Sequence, residues 1–166
     1  VYPAFVPLTH PLASVRGSYN AIYIKGNGID VAMFYGRGAG SLPTGSSVVS
    51  DIMEVAKNVA FESTGRFKPF YFDQKNIYSP GKIQSSYYMR LAVDNKTGVL
   101  AKIATKLAEQ KISVLSIVQR NKDPETAVLA IVTSKCPHSY ILNLIDSFNS
   151  LRSVKDVCSV IRIMEA

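Results

Sequence analysis

Two largely apolar runs, Tyr19 to Ile24 and the alternating Ile29 to Tyr35, stand on either side of one break at Lys25-Gly-Asn-Gly28. Tyr19-Asn-Ala-Ile-Tyr-Ile24 and Ile29-Asp-Val-Ala-Met-Phe-Tyr35 therefore predict a β-hairpin, with Asn27-Gly28 supplying positive-φ residues for its turn. In the second run Ile29, Val31, Met33 and Tyr35 share one face, so this strand is expected to be covered on at least one side. After a glycine-rich stretch, Val48, Val49, Ile52, Met53, Val55, Ala56 and Val59 recur at helical spacing. They predict a helix over about residues 46–60, with Thr44, Ser46 or Ser47 capping its first turn. Residues 62–86 break both periods with Gly65, Pro69, Pro80 and Gly81. The aromatics Phe67, Phe70, Tyr71, Phe72 and Tyr78 in that stretch mark an ordered crossing segment rather than a free linker.

From Tyr87 the pattern becomes β-α-β-β-α-β. Tyr87-Tyr-Met-Arg-Leu-Ala-Val93 reads as a strand, and Val99, Leu100, Ile103, Ala104, Leu107 and Ala108 form the stripe of a helix. Ile112 to Val118 and Thr126 to Val132 are two strands around a polar turn at 121–124. Ile141, Leu142, Leu144, Ile145 and Phe148 make a second helix, and Val154 to Ile163 the last strand. That order predicts four antiparallel strands backed by two helices, and an α+β class for the chain.

Composition changes this picture little. With 166 residues, 47% of them hydrophobic and 19% charged, the chain has the balance of one or two folded domains. Its longest apolar runs, such as Ala127-Val-Leu-Ala-Ile-Val132, fall far short of the roughly 20 residues of a membrane span. No signal peptide is apparent either, so the expectation is a soluble cytoplasmic protein without a membrane partner. The net charge of +7 is spread out: 8 Lys/Arg against 5 Asp/Glu in residues 1–86, and 11 against 7 in residues 87–166. A nucleic-acid surface concentrates such charge, and Ala127-Val-Leu-Ala-Ile-Val-Thr133 lacks the stacking aromatics of an RNA-binding sheet, so no nucleic-acid partner is expected. Cys136 and Cys158 have neither C-x-x-C spacing nor a nearby histidine set, which predicts no metal site and two structural cysteines.

Two stretches carry candidate chemistry. In Gly36-Arg-Gly-Ala-Gly40 alternate glycines clear one side of a turn for an anionic group, and the following helix adds the positive end of its dipole. The dinucleotide pattern G-x-G-x-x-G would need glycine where Ser41 stands, and the Walker A pattern is also unmet. On spacing alone a structural turn and a binding loop stand level, and Arg37 reads equally as a solvated side chain. His10 has no acid or nucleophile placed beside it by the sequence, and His138, after Pro137 at a helix start, is expected to be exposed. The second stretch is Asp94-Asn-Lys-Thr-Gly-Val-Leu100, where Gly98 permits close approach of a ligand backbone or simply tight packing.

The segment from Phe34 to Asp51, with Thr9-His-Pro-Leu-Ala-Ser-Val15 before it and Asp94-Asn-Lys-Thr-Gly-Val-Leu100 after it, resembles the C-terminal part of homoserine dehydrogenase. The resemblance implies three regions: the end of a catalytic domain over 1–65, a crossing segment over 66–86, and a regulatory ACT domain of ferredoxin-like βαββαβ order over 87–166. It implies an enzyme interconverting L-homoserine and aspartate 4-semialdehyde with NAD or NADP. The backbone of Gly36, Gly38, Ala39 and Gly40 would line the cofactor and substrate cleft. The nucleotide-binding domain and the catalytic lysine region lie outside the match, so this portion by itself is expected to hold no catalytic residue, to bind no cofactor and to be inactive. In similar ACT domains an amino-acid effector binds where two domains pair, which carries over to Asp94, Asn95, Thr97, Gly98, Val99, Leu100 and Ser113. L-Threonine is the candidate effector, and a homo-oligomer through the ACT domains the candidate assembly. Thr97 departs from the family, which usually has proline there, and a cap by Thr97 is the expected substitute. The other reading is a free-standing amino-acid-binding regulatory module, or an ACT domain that serves only in pairing.

Overall fold

The computed structural model describes residues 1–63 and 76–164. It is a mixed α+β protein whose backbone divides into two compact units: a hairpin unit over Leu8–Asn76, and a sheet unit formed by Val1–Pro7 with Ile77–Ala166. The crossing segment expected over 66–86 lies partly outside the described residues. Its described end contains a short 3-10 turn at Pro80–Lys82.

In chain order the first strand, β1 (Ala4–Phe5), belongs to the sheet unit, where it pairs in parallel with the last strand. The hairpin unit begins with a 3-10 turn at Pro11–Ser14, then β2 (Tyr19–Gly26), β3 (Asp30–Arg37) and α1 (Ser41–Ala60). The β2–β3 ladder runs antiparallel from Tyr19 opposite Arg37 to Gly26 opposite Asp30. Its positive φ falls at Asp30, at 52°, and not at Asn27-Gly28 as expected. Aspartate tolerates this region because its short polar side chain can bond locally.

The helix α1 starts earlier than its apolar spacing indicates. Gly40 is its N-cap residue, no side chain caps it, and Thr44, Ser46 and Ser47 lie inside it. Ser47 Oγ donates back to the Pro43 carbonyl at 3.0 Å, the usual alternative for a serine within a helix. Pro43 in the first turn costs no hydrogen bond, since the first four N–H groups of a helix have no partner within it. Neither hairpin strand nor α1 contributes a buried residue, which corrects the expectation of a covered β3 face.

The sheet unit keeps the expected succession of four main strands and two helices, and adds β1, paired in parallel, and one further short strand. It comprises β4 (Gln84–Asp94), α2 (Val99–Glu109), β5 (Val114–Asn121), β6 (Thr126–Thr133), the two-residue β7 (Cys136–Pro137), α3 (His138–Asn149) and β8 (Val154–Ile163). The main sheet has the order β1-β8-β4-β6-β5, and β7 adds a short antiparallel pair at the start of β4. Pairs β8–β4, β4–β6 and β6–β5 are all antiparallel. Tyr87, Met89, Leu91 and Val93 of β4 alternate into the core with Ala127, Leu129 and Ile131 of β6. Val99, Ile103 and Leu107 of α2 and Ile141, Leu144 and Phe148 of α3 close it from the helix side. Each Val, Leu, Ile, Met or Phe among them contributes roughly 1.5–3 kcal/mol on burial.

Candidate functional site

The first candidate corner lies where β4 runs into α2. Asp94 ends the strand, with its N–H donating to the Ser153 carbonyl at 2.9 Å, and the Asn95 N–H donates to the Glu125 carbonyl at 2.9 Å. These two bonds tie the turn to the adjoining strands. Gly98 is the N-cap of α2 with φ of 85°, a conformation that disfavours side chains, and no side chain caps the helix. Thr97 is therefore not the cap. The Lys102 N–H donates to the Gly98 carbonyl at 3.2 Å, which starts the helical ladder.

Around this turn lies a cleft of about 350 Å³ lined by Asp94, Asn95, Thr97, Gly98, Val99 and Leu100. Gln119 of β5 and Leu129 of β6 also line it. Ser113 is not among its lining residues; its carbonyl accepts from the Ser134 N–H and hydroxyl, at 2.8 and 3.1 Å. Gln119 sits in β5, where Ser116, Arg120 and Asn121 are polar as well, so no local pattern singles it out as a second wall.

The charges at this corner are partly engaged. Lys155 Nζ lies 3.7 Å from the Asp94 carboxylate and donates to Thr126 Oγ1 at 2.8 Å. The Asn95 side-chain amide donates to the Pro124 carbonyl at 3.4 Å, which leaves its own carbonyl oxygen as an acceptor. The corner thus brings a carboxylate and an amide oxygen next to the positive end of α2, a pairing suited to a zwitterion.

The second candidate is the glycine turn between β3 and α1. Gly36 still belongs to β3, opposite Asn20. The Gly38 N–H donates to the Ser18 carbonyl at 2.9 Å, so this donor already serves the hairpin. A side chain at Gly38 would run into the Asn20 amide, whereas Gly36 has open space beside it. Gly40 turns the chain with φ of 129° and its carbonyl accepts the Thr44 N–H at 3.1 Å. Arg37 lies with its guanidinium 4.9 Å from the Tyr19 ring centre and donates to Ser18 Oγ at 3.3 Å. Tyr19 in turn stacks on Tyr35 at 4.8 Å. The open donors nearest an incoming anion are those of Ala39, Gly40 and the first turn of α1.

Of the two histidines, His10 caps the Pro11–Ser14 turn by accepting from the Leu12 N–H at 3.1 Å, and its ring packs 4.5 Å from Tyr23. Its role in the fold is that of a turn residue. His138 is not exposed as expected: it is partly buried and bonded to the Tyr87 hydroxyl at 3.1 Å. Among the described residues no three His, Cys, Asp or Glu side chains gather as a metal site would require, and no helix is long and apolar enough to cross a membrane.

Comparison with known proteins agrees with the resemblance. The homoserine dehydrogenase family model matches residues 1–53. The homoserine dehydrogenase of Bacillus subtilis (strain 168) is 35% identical over 98% of this chain, and that of Mycobacterium tuberculosis (strain ATCC 25618 / H37Rv) is 34% identical over 98%. The chain spans about 38% of the length of these relatives. A solved homoserine dehydrogenase from Thiobacillus denitrificans superposes with a TM-score of 0.81 at 28% identity, covering 99% of this chain and 38% of that one. Along nearly its whole length, therefore, the chain is similar to part of homoserine dehydrogenase.

Proposed function

We propose that the chain is the C-terminal portion of an NAD(P)-dependent homoserine dehydrogenase, the enzyme that interconverts L-homoserine and aspartate 4-semialdehyde. In this reading residues 1–65 close the catalytic domain, and residues 87–166 form an ACT domain through which an amino acid regulates flux toward threonine and methionine. The observation that carries it is the similarity to homoserine dehydrogenases along 98% of the chain. The strand and helix order of residues 84–163 supports the ACT assignment.

The dinucleotide supplies hydride transfer chemistry when bound. Gly36, Gly38, Ala39 and Gly40 would meet it through the backbone. Gly36 fits best, because no side chain stands in the space beside it, and Ala39 and Gly40 fit through the donors that precede α1. Gly38 contributes by letting the hairpin close on Ser18, and thus fixes the position of the other three. At the β4–α2 corner, Asp94 and Asn95 would receive the ammonium group of L-threonine while the start of α2 receives its carboxylate.

Two assays test these statements. The purified 166-residue chain, supplied with homoserine and either nicotinamide cofactor, is expected to show no turnover, whereas the parent coding sequence with its nucleotide-binding domain turns over. Failure of the parent to oxidise homoserine would overturn the enzyme assignment. Calorimetric titration with threonine, isoleucine, methionine and serine tests the ACT half. Heat with threonine, lost in a folded Gly98→Val variant, is the expected result. No heat with any amino acid at millimolar concentration would make the domain a pairing module.

A further inference from the structure

Among the described residues, the sheet unit holds a cation with no carboxylate recorded against it. Arg162 of β8 is only 9% exposed. Its Nη1 is buried and makes no hydrogen bond. Its close neighbours are aromatic: the guanidinium lies 4.1 Å from the centre of Tyr2 and 5.9 Å from that of Tyr87, whose hydroxyl it also bonds. A buried charge is costly unless it is paired and fully hydrogen-bonded, and ring faces satisfy neither nitrogen donors nor net charge completely.

Two clefts open beside this cation, and Tyr2 and Arg162 line both. One, of about 230 Å³, has Ile141, Ile145 and Val160 as its apolar wall and Tyr87 and His138 as its polar side. The other, of about 320 Å³, adds Gln84 and Ser85. Among the described residues no Asp or Glu lines either of them.

The polar side is oriented as a donor set. Tyr87 and His138 are stacked at 5.9 Å with their rings 17° apart, and the Tyr87 oxygen lies 3.1 Å from His138 Nδ1. Burial and the nearby Arg162 charge both lower the pKa of His138, which keeps the ring neutral near pH 7. Tyr87 Oη and His138 Nδ1 share one hydrogen bond, and in the tautomer whose Nδ1 accepts it the imidazole proton is on Nε2. A guanidinium with an unused nitrogen and an imidazole N–H then stand beside one apolar wall.

We infer that Arg162 and His138, held by Tyr87, bind a small carboxylate that carries a short aliphatic body and no amino group. The missing amino group follows from the lining, because an ammonium would meet the Arg162 charge with no acidic side chain to offset it. Size agrees: at about 30 Å³ per water-sized group, the smaller cleft takes roughly seven or eight such groups, near the seven heavy atoms of isovalerate. Tyr2, itself 58% exposed, covers the guanidinium and swings aside to admit the ligand.

The test is a titration of the whole chain by nuclear magnetic resonance, with isovalerate, isovaleramide, L-leucine and inorganic phosphate as separate probes. Isovalerate should shift the His138 and Arg162 side-chain signals at millimolar concentration. The amide, which lacks the charge, should bind about tenfold more weakly or less, and so should leucine. Arg162→Gln should abolish binding. In case that variant fails to fold, Tyr2→Ala tests the same site without touching the core and should bind isovalerate more tightly. Equal binding of acid and amide, binding of phosphate alone, or no response to isovalerate in the unaltered chain and in Tyr2→Ala would each overturn the assignment. Isovalerate binding seen only in Glu165→Gln would also overturn it, because the chain's own carboxylate would then be the counter-charge.

Discussion

The sheet unit and the hairpin unit use the same kind of apolar patterning with opposite results. In the sheet unit, alternation along β4 and β6 and helical spacing along α2 and α3 meet in one core, where Leu144 and Phe148 are wholly buried. In the hairpin unit, alternation along β3 leaves Met33 38% exposed, and helical spacing along α1 leaves Ile52 61% and Val59 73% exposed. A period identifies the side of an element that favours burial. It does not supply the second layer, and a two-stranded hairpin with one helix cannot enclose a core of its own.

The largest effect that would sharpen this contrast is a truncation series. Phe148→Ala should cost about 3–5 kcal/mol in urea unfolding followed by circular dichroism, and Val59→Ala no more than about 0.5 kcal/mol. Equal losses would break the comparison. Next comes assembly, since exposed apolar area of this extent promotes self-association. Replacing Ile52 and Val59 together by lysine should leave helical content unchanged and move the chain toward monomer in sedimentation at micromolar concentration. An unchanged oligomer would transfer the assembly to the sheet unit.

A smaller effect separates the units by pH. His138 has its pKa lowered from 6.5, first by burial and then by Arg162, so below about pH 6.5 the unfolded chain takes up a proton that the native sheet unit refuses. Stability should therefore fall as pH drops through that value, and His138→Gln should flatten the profile. Tyr87 and Cys136 are raised, chiefly by burial, so stability should also fall above about pH 9, where the unfolded chain releases protons first. The smallest effect is one of sign between two glycines. Gly98→Ala, at φ of 85°, should destabilise by about 1 kcal/mol, while Gly36→Ala, with open space and no positive φ, should be neutral or stabilising by about 0.4–1 kcal/mol.

Much of the sheet unit is legible in the sequence because β4, β6, α2 and α3 each carry one unbroken period. Val99, Ile103 and Leu107 fix the buried face of α2, and Tyr87, Met89, Leu91 and Val93 that of β4. The start of α1 was less legible, since Pro43 and Gly45 weaken helical propensity between Leu42 and Val49, which share one face seven residues apart. At the β4–α2 corner six of the seven expected residues come together, because they are consecutive or nearly so in the chain. Gln119 and Leu129 join them across two other strands, a proximity that no local pattern encodes.

Periodicity, turn residues and capping chemistry act over a few residues, so the sequence by itself determined the succession of strands and helices and the side of each that favours burial. Distance in space between residues far apart in the chain depends on strand order and register. Only the tertiary structure decided that Arg162 of β8 lies against Tyr2, Tyr87 and His138, and that the apolar side chains of α1 are left uncovered. The physical reason is the same in both cases: burial and electrostatic pairing belong to the whole packing arrangement, and a segment specifies only its own share of that contact.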